Sequence, residues 1–403
     1  MARLLFLAHR LPYPPDKGDR IRSWHILEYL SRRFEVELGC LSDDPADQDH
    51  LPKLRGICAA VECVPVRLGL AAGARALLRA RPGRPLTLGW FHAPRLRAWV
   101  AAGLAARRYD AAFVYSSAMA QYVLAAPGWD AVPARVLDLV DVDSEKWLAY
   151  AAEARMPQRL IWAHEAHTLL AYERLAAAGF HHTILVSEAE RDRFVELAPE
   201  AAGRTSWVDN GVELARFDPA LAFINPYTPG RPALVFTGTM DYRPNIQAVL
   251  WFAQEVMPLL RGRAVSPEFH IVGARPSEAV RALAAMPDIH VTGRVADTRP
   301  YIAHAAAAVA PLLIARGVQN KLLEAMAMGR PVIASSPAAE GIRATPGRDL
   351  LVADGAAATA QAISEVLCGQ HKGLGAAGRL AMERCHDWAV TLRRLDPLLV
   401  PAE

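Results

Sequence analysis

The sequence predicts an α/β protein with doubly wound parallel sheets. Residues 4–8 form a short apolar run that fits a buried strand, residues 21–33 fit a helix, and residues 36–41 fit a second strand. Strand, loop, helix and strand in this order is the usual opening of a parallel sheet with crossover helices. Ligands of such sheets bind beyond the carboxyl ends of the strands, so the loops at those ends are candidate functional regions.

A second α/β pattern follows the first. Residues 214–231 are rich in proline and fit a linker, and a new strand begins at residue 233. The chain of 403 residues is long enough for two hydrophobic cores. We therefore expect one domain at residues 1–208 and a second at 209–385.

Composition and charge exclude several classes of function. Apolar residues make up 52% of the chain, and the net charge of +3 is too small to predict a nucleic-acid partner. No apolar run reaches the roughly 18 residues of a membrane span, and the first residues lack the pattern of a signal peptide. The five cysteines show no paired Cys-x-x-Cys spacing. We therefore expect reduced thiols in a cytoplasmic protein, without a zinc site.

The segment from Arg316 to Ser335 contains the most informative pattern in the chain. Its apolar positions fit one face of a helix, Gly329 ends that helix, and a buried strand follows. Lys321 and Glu324 are three residues apart, so they share one face near the helix start. A cation and a carboxylate at that position could hold a phosphate and a sugar hydroxyl together. An ordinary surface ion pair is the alternative.

A glycine turn and a helix start also follow the first strand of the second domain. Gly238 comes just after a strand at 233–236, where the missing side chain lets a ligand approach the backbone. The next helix begins near Asn245, and its N-terminus points to the same place. Arg243 precedes this helix start, and we expect Arg243 and Lys321 to share the charge of a diphosphate.

Two stretches of the chain resemble known proteins. The pattern K-x-x-E-A-M-A-x-G-x-P-V-I-A-S, from Lys321 to Ser335, resembles the donor-site helix of GT-B glycosyltransferases of family 4. The run PYPPDKGDRIRSWHILEYL, residues 12–30, resembles the sugar transferases found with bacterial exopolysaccharide and exosortase (PEP-CTERM) systems. The resemblance implies two Rossmann-like domains facing a central cleft. It also implies a C-terminal helix, residues 386–403, that crosses back to the N-terminal domain.

The same resemblance implies a reaction. A sugar would move from a nucleotide-sugar donor to a hydroxyl acceptor, with retention of configuration. The acceptor would be a growing exopolysaccharide glycan or a lipid-linked glycan. No metal or other cofactor is expected, because helix N-termini and cations can neutralise the leaving diphosphate.

The resemblance further assigns roles to single residues. Glu324 corresponds to the glutamate that binds the nucleotide ribose, and Arg294 and Val295 lie in the segment that receives the base. Many members carry another glutamate eight residues before the first, where this chain has Arg316, which we expect to face the pyrophosphate. The expected donor-binding residues are Gly18, Gly238, Arg243, Asn245, Arg294, Val295, Arg316, Lys321, Leu322 and Glu324.

No catalytic nucleophile or base is evident, and in this kind of transferase the leaving phosphate itself can receive the acceptor proton. His9, after the first strand, and Asp141, after a strand at 134–140, are candidates for orienting the acceptor hydroxyl. Asp141 and Asp143 form an Asp-x-Asp pattern that could bind a divalent metal ion. That signature belongs to the other glycosyltransferase fold. Capping of the next helix, or a position along the cleft, is the alternative.

Residues 67–108 are rich in arginine and contain neither aspartate nor glutamate. Apolar residues such as Leu77, Trp90 and Trp99 are interleaved with the arginines. A basic, partly amphipathic region of this kind is typical of a surface that contacts anionic lipid headgroups. It predicts a peripheral position at the inner face of the cytoplasmic membrane. The alternative is an arginine-rich face that contacts only solvent.

Two other functions are compatible with the same fold. A sugar-nucleotide epimerase with the GT-B fold would carry several carboxylates and histidines in its cleft and would isomerise the donor without an acceptor. A non-catalytic component of a polysaccharide assembly system would bind without turnover. The arginine at position 316, where a glutamate is common, keeps this last alternative open.

Overall fold

The structure is a computed structural model that describes residues 1–16, 18–66, 83–263, 265–315 and 317–399. The chain divides into two compact units. The N-terminal unit comprises Met1–Val208 and the chain from Leu392 onward, and the C-terminal unit comprises Asp209–Thr391. Within the described ranges, no helix combines the length and the apolar character needed to cross a membrane.

A seven-stranded parallel sheet forms the centre of the N-terminal unit. Its strands are β1 Arg3–Ala8, β2 Glu35–Ser42, β3 Ala60–Pro65, β4 Ala111–Tyr115, β5 Ala134–Val140, β6 His182–Leu185 and β7 Thr205–Trp207. Their spatial order is β3-β2-β1-β4-β5-β6-β7. Residues 4–8 of β1 are completely buried. This explains the continuous apolar run in the sequence, because an inner strand of a parallel sheet is covered on both faces.

Helices follow or connect these strands. In the described part of the N-terminal unit they are α1 Gly18–Ser31, α2 Leu51–Arg55, α3 Leu86–Trp90, α4 Pro94–Ala105, α5 Ser117–Ala120, α6 Asp143–Glu153, α7 Gln158–Ala178 and α8 Glu188–Leu197. α8 begins where Ser187 accepts a hydrogen bond from the N–H of Glu190 through its side chain. A side-chain cap therefore marks the start of α8.

The C-terminal unit repeats this architecture with six parallel strands. These are β8 Ala233–Thr237, β9 Glu268–Val272, β10 Ile289–Gly293, β11 Ala307–Ala310, β12 Val332–Ala334 and β13 Leu351–Val352. Their spatial order is β10-β9-β8-β11-β12-β13. The described helices are α9 Arg243–Trp251, α10 Met257–Leu260, α11 Glu278–Ala282, α12 Arg299–His304, α13 Asn320–Ala327, α14 Ser336–Ala339, α15 Ala356–Leu367, α16 Leu374–Cys385 and α17 Trp388–Thr391. Two parallel sheets with intervening helices confirm the predicted fold class.

The terminal segment differs from the single returning helix expected at 386–403. α17 is followed by a 3-10 helix at Leu392–Leu395 and by α18 at Asp396–Leu399. Pro397 accounts for the interruption, because its ring favours the first turn of a new helix over the interior of a longer one. In α18, Asp396 accepts a hydrogen bond from the hydroxyl of Tyr29 at 2.8 Å, which attaches the segment to α1.

Residues 386–391 belong to the C-terminal unit. Nδ1 of His386 hydrogen-bonds to the carbonyl oxygen of Asn210 at 2.8 Å. Trp388 packs on Gly211 so closely that a Cβ on that glycine would lie 2.6 Å from the indole. The chain therefore rejoins the N-terminal unit at Leu392 rather than at residue 386.

A buried ion pair links α1 to β5. Arg22 and Asp138 are both fully buried, and Nε of Arg22 donates to Oδ2 of Asp138 at 2.8 Å. Nη1 of Arg22 donates to the carbonyl oxygen of Val208 at 2.7 Å. Burial raises the pKa of Asp138, and the charge of Arg22 opposes that rise. Removing one partner would leave the other charge buried and unpaired.

We expect Arg22→Met to lower the free energy of unfolding by about 3–5 kcal/mol, because Asp138 then loses its buried cation. The double variant Arg22→Met/Asp138→Leu should recover most of this loss, since it removes both charges. Urea unfolding followed by tryptophan fluorescence measures both effects. Arg32→Met is the matched control, because Arg32 pairs with Glu28 on the surface and contributes less than about 1 kcal/mol. Equal losses for Arg22→Met and Arg32→Met would contradict the role of the buried pair.

Candidate functional site

Helix α13 supplies the central side chains of the candidate site in the C-terminal unit. It begins at Asn320, and Gly329, with φ 65°, ends it as the sequence predicts. Lys321 and Glu324 are half-buried on one face of the helix. The side chains that α13 packs into the core are those of Leu322, Leu323, Ala325, Met326 and Ala327.

The ammonium group of Lys321 has two close neighbours. Nζ donates a hydrogen bond to Oδ1 of Asn245 at 2.6 Å and lies 4.3 Å from the centre of the Phe236 ring. Burial lowers the pKa of Lys321 to about 7, and the nearby carboxylate of Glu324 opposes this effect. A bound anion would favour the charged lysine, because it supplies the stabilisation that burial removes. The environment of Lys321 therefore suits an anionic ligand.

Asn245 connects α9 to Lys321 and to the turn after β8. Its Nδ2 donates to the carbonyl oxygen of Thr239 at 2.9 Å, which leaves Oδ1 to accept from Lys321. Gly238 in this turn has φ 154°, and a Cβ there would lie 2.7 Å from Nδ2 of Asn245. Glycine is therefore required both by the backbone and by the packing. Arg243 is half-buried at the first position of α9.

Glu324 lies one turn after Lys321. Burial raises the pKa of Glu324 to about 7, the charges of Arg216 and Lys321 oppose this rise, and Glu213 adds to it. Arg216 and Glu213 are not among the site residues predicted from the sequence. No local sequence pattern identifies them, because they approach Glu324 from a segment more than one hundred positions earlier in the chain. The start of α13 is thus surrounded by two cations and two carboxylates.

Asn210 contacts the first residue of α13. Nδ2 of Asn210 donates to Oδ1 of Asn320 at 3.2 Å. Nε2 of His386 lies 3.0 Å from the N–H of Arg343, while Nδ1 faces the carbonyl oxygen of Asn210. Nε2 accepts a hydrogen bond and Nδ1 donates one, so His386 is neutral with its proton on Nδ1. Burial also lowers the pKa of His386, which favours the neutral ring. Asn210 therefore links the first residue of α13 to His386.

Glycine turns line the carboxyl ends of β8, β9 and β10. A Cβ on Gly273 would lie 1.7 Å from the carbonyl oxygen of Gly238, and the N–H of Gly273 donates to the carbonyl oxygen of Gly293 at 3.2 Å. Arg294 and Val295 follow Gly293 directly. Arg294 is exposed, whereas Val295 packs against the core. These two predicted residues therefore lie at the same edge of the sheet as Gly238, beyond the β9 turn.

Leu322 and Arg316 are the remaining predicted residues of the segment from Arg316 to Ser335. Leu322 is 1% exposed, and its N–H already donates to the carbonyl oxygen of Gln319 at 2.9 Å. Its side chain packs into the core, because the helical period places it on the inner face of α13, and a contact of Leu322 with the donor stays a prediction. Arg316 lies outside the described residues. The next residue, Gly317, packs against Gly341, where a Cβ would lie 2.7 Å from the Gly317 carbonyl oxygen.

In the N-terminal unit, His9 follows β1 and is held by aromatic rings. Its ring stacks on Tyr115, with centroids 5.7 Å apart, and meets Phe91 edge-on. Nε2 of His9 lies 3.6 Å from Oδ2 of Asp19. Burial alone would raise the pKa of Asp19, but His9 and Arg10 hold it below its usual range. Nδ1 of His9 is buried and makes no hydrogen bond with the described residues, so a polar ligand could use it.

Gly18 begins α1 at the same edge of the sheet as His9. The hydroxyl of Tyr115 donates to the carbonyl oxygen of Asp19 at 3.0 Å, and the hydroxyl of Ser23 donates to the same oxygen at 2.8 Å. Tyr115 therefore contacts both the start of α1 and the ring of His9. The predicted glycine turn and His9 are held by one tyrosine.

Asp141 follows β5, where the backbone has an unusual conformation. Val140 has φ 69°, and Ser116, at the end of the neighbouring β4, has φ 79°. Positive φ is rare for residues with a side chain and especially for a β-branched one. Burial raises the pKa of Asp141 to about 8, and the charges of Glu190 and Asp143 add to the rise. Oδ1 of Asp141 is buried and makes no hydrogen bond within the described part of the chain.

No side chain of the 141–143 segment caps α6, so the expectation that Asp141 or Asp143 caps this helix is wrong. The N–H of Val142 donates to Oε2 of Glu190 at 2.9 Å. The N–H and hydroxyl of Ser144 donate to Glu173 at 3.2 and 2.6 Å. Glutamates from α8 and α7 therefore take the N–H groups of the first turn. Burial raises the pKa of Glu173 to about 8, so this part of the unit is rich in carboxyl groups that are costly to ionise.

The described part of the arginine-rich region, residues 83–108, belongs to the packed unit. Leu96 of α4 is completely buried. Arg95 forms an ion pair of 2.6 Å with Glu62. Residues 67–82 lie outside the described residues. Within residues 83–108, apolar side chains such as Leu96 and Val100 pack into the core.

One family model matches part of the C-terminal unit. Residues 231–368 match a family model described as Glycosyl transferases group 1. The matched range contains Gly238, Asn245, Lys321 and Glu324. The prediction that the chain is a glycosyltransferase enzyme is confirmed by this domain. No curated protein matches the chain in sequence.

Several solved structures are similar over nearly the whole chain. Sucrose-phosphate synthase from Thermosynechococcus elongatus has a TM-score of 0.70 at 18% identity, covering 99% of this chain and 98% of that one. HepE of Anabaena, solved in complex with UDP and glucose, has a TM-score of 0.69 at 15% identity, covering 99% of each chain. An α,α-trehalose 6-phosphate synthase from Burkholderia multivorans has a TM-score of 0.64 at 13% identity, covering 99% and 98%. The chain therefore has the GT-B fold, with a glycosyltransferase group 1 domain at residues 231–368.

Proposed function

We propose that this protein transfers a sugar from a nucleotide-sugar donor to a hydroxyl acceptor, as a retaining, metal-independent enzyme of family 4. The observation that carries the proposal is the arrangement on α13. Asn245 holds Nζ of Lys321 at 2.6 Å, and Glu324 follows one turn later. HepE, one of the similar structures, was solved with UDP-glucose, which supports a nucleotide-sugar as the ligand.

Lys321 and Glu324 have complementary roles in this proposal. Protonated Lys321 pairs with the diphosphate, and the N-terminus of α13 adds the positive end of the helix dipole. The carboxylate of Glu324 accepts hydrogen bonds from the ribose hydroxyls. The diphosphate gains negative charge as the bond to the sugar breaks. A partly desolvated cation stabilises that charge more strongly than an exposed one.

Thermal shifts with UDP, GDP, ADP and TDP sugars test donor binding. A ligand that binds only the native state stabilises it, so at least one class should raise the Tm progressively with concentration. Glu324→Ala should weaken that binding by about 10–100-fold, because the ribose loses hydrogen bonds to a charged group worth about 1.5–3 kcal/mol. A flat response to all four classes would reject the donor proposal.

Glu255→Ala is the matched control for this experiment, because Glu255 is an exposed carboxylate of the same unit. Its ligand-induced shift should equal that of the wild type. Without ligand, Glu324→Ala should melt no earlier than the wild type. The reason is that burial already disfavours the charged form of Glu324, as its raised pKa indicates.

The lowered pKa of Lys321 should make donor binding depend on pH. Above pH 7 the unliganded lysine is neutral, and binding a diphosphate must take up a proton. The Kd for the preferred nucleoside diphosphate should therefore rise about tenfold per pH unit between pH 7 and 8.5. The arginine of Lys321→Arg stays charged over this range. The Kd of this variant should therefore change by less than about threefold between pH 7 and 8.5. Calorimetric titration measures both, and a wild-type Kd independent of pH would contradict the contact.

We also infer that the N-terminal unit orients the acceptor hydroxyl through His9 and Asp141. Each presents a buried polar atom that the described residues do not hydrogen-bond, Nδ1 in His9 and Oδ1 in Asp141. Both residues follow the carboxyl ends of strands in the same parallel sheet. The acceptor in this proposal is a growing exopolysaccharide glycan or a lipid-linked glycan.

With saturating donor, the rate of transfer should rise between pH 7 and 9. Asp141, whose pKa is about 8, is mostly protonated at pH 7. Its ionised carboxylate is the better partner for the hydroxyl of the sugar acceptor, because it accepts the hydrogen bond that the hydroxyl donates. Asp141→Asn should remove this rise and lower the rate at pH 9 at least about tenfold. Asp130→Asn is the control, because the Asp130 side chain is fully exposed. Parallel pH profiles for the wild type and Asp141→Asn would exclude Asp141 from this role.

The peripheral position at an anionic membrane stays a prediction. The arginines of residues 67–82 support it from the sequence. In the structure, the exposed apolar side chains of Met156 and Leu160 lie close in sequence to Arg155 and Arg159, around the start of α7. Apolar and basic side chains in this combination fit an anionic bilayer surface, which flotation with anionic vesicles would test.

A sugar-nucleotide epimerase is the second candidate. The buried carboxyl groups of Asp141, Glu173 and Glu190 favour it, because such an enzyme needs acid and base groups close together. Incubation with a sugar nucleotide alone separates the two functions. Isomerised donor would favour the epimerase, whereas nucleotide release that requires an acceptor would favour transfer.

A further inference from the structure

Two histidines and a glutamate form a cluster on the sheet of the C-terminal unit. Glu268 and His270 are two residues apart on β9, so their side chains share one face of the sheet. His290 on β10 is the register partner of His270. Parallel pairing thus gathers three side chains that are spread over the sequence.

The three side chains converge on one point. Nε2 of His270 lies 3.3 Å from Oε2 of Glu268, and Nε2 of His290 lies 3.6 Å from the same oxygen. The two imidazole rings are nearly parallel, at 14°, with centroids 4.4 Å apart. One ligand atom from each residue lies within 4.8 Å of the other two. Because each nitrogen lone pair lies in the plane of its ring, one imidazole must rotate out of the stacked arrangement before both can bind one ion at about 2.0–2.2 Å.

Neighbouring side chains hold the cluster in place. The ring of Tyr227 packs against His270 with centroids 4.5 Å apart. Nη1 of Arg231 lies 3.5 Å from Oε1 of Glu268, which is the oxygen not shared with the histidines. Glu268 and His270 are each 7% exposed, whereas the His290 side chain is 49% exposed. The cluster is therefore fixed on its inner side and open to solvent at His290.

The chemistry of these groups suits a transition metal. Burial lowers the pKa of His270, the charge of His290 acts in the same direction, and Glu268 opposes them. Burial thus favours a neutral imidazole, whose lone pair can bind a metal. Two imidazoles and a carboxylate are a common ligand set for zinc and for similar divalent ions. The cation of Arg231 repels an ion, so moderate rather than extreme affinity is expected.

This cluster is separate from the site on α13. Glu268 begins β9 and Val272 ends it, and Gly273 at the other end belongs to the glycine turns. His270, the ligand on β9 nearest to this turn, is three residues before Gly273, which corresponds to about 10 Å at about 3.3 Å per residue. β10 is the edge strand of its sheet, and it leads into Gly293. An ion bound near the amino ends of β9 and β10 would join the edge strand β10 to β9.

We propose that Glu268, His270 and His290 bind one divalent metal ion of the zinc class, with water completing its coordination. The ion ties the edge strand β10 to β9 and stabilises the native C-terminal unit, because the unfolded chain does not hold the three ligands together. The proposed sugar transfer does not use this ion. The two proposals can therefore fail independently.

Zinc binding to the full-length protein, after removal of metal with a chelator, tests the proposal. Calorimetric titration with zinc chloride should show one site that His290→Ala weakens at least about tenfold. Zinc should raise the Tm of the wild type by more than that of the variant. His290 is half exposed, so the variant should fold. If circular dichroism shows that His290→Ala is unfolded, His290→Gln is used in its place.

His371→Ala is the matched control. Nε2 of His371 lies 3.1 Å from Oε2 of Glu365, and among the described residues no third metal-binding side chain joins this pair. This variant should bind zinc as tightly as the wild type. No zinc binding by the wild type, or equal affinities for the wild type and His290→Ala, would overturn the proposal. An equal loss of zinc affinity in His290→Ala and His371→Ala would also overturn it.

Discussion

The partial burial of Lys321 is the physical constraint on which the site of the C-terminal unit depends. Asn245 binds its ammonium group and Phe236 covers one side of it. Water therefore stabilises the charge only weakly. Burial lowers the pKa of Lys321 and raises the pKa of Glu324, so both pKa values are about 7. In the unliganded protein these charges are costly, and a diphosphate with its ribose would relieve that cost.

Sequence patterns predict the parts of this site that depend on local structure. Apolar spacing and a terminal glycine define the helix, and strand–glycine–helix order places Gly238 and Asn245 at one edge of the sheet. Arg216 could not be predicted, because it approaches Glu324 through a turn more than one hundred positions away in sequence. His270 and His290 meet through strand register, which a single sequence does not specify.

Errors at the sequence level have the same physical origin. A helix start after residue 141 is visible in the sequence, but the distant carboxylates that reach its first N–H groups, Glu173 and Glu190, are not. Leu322 lies between two polar site residues in sequence, yet the helical period turns it into the core. Local patterns therefore identify elements and their faces, whereas partners from other elements decide which polar groups are already occupied.

The contact between Gly238 and Gly273 has a consequence for how this domain can evolve. A methyl group at position 273 would overlap the carbonyl oxygen of Gly238, and any shift of Gly238 would disturb Asn245. A side chain at position 238 would likewise meet Nδ2 of Asn245, so neither glycine can gain a side chain unless its neighbour moves.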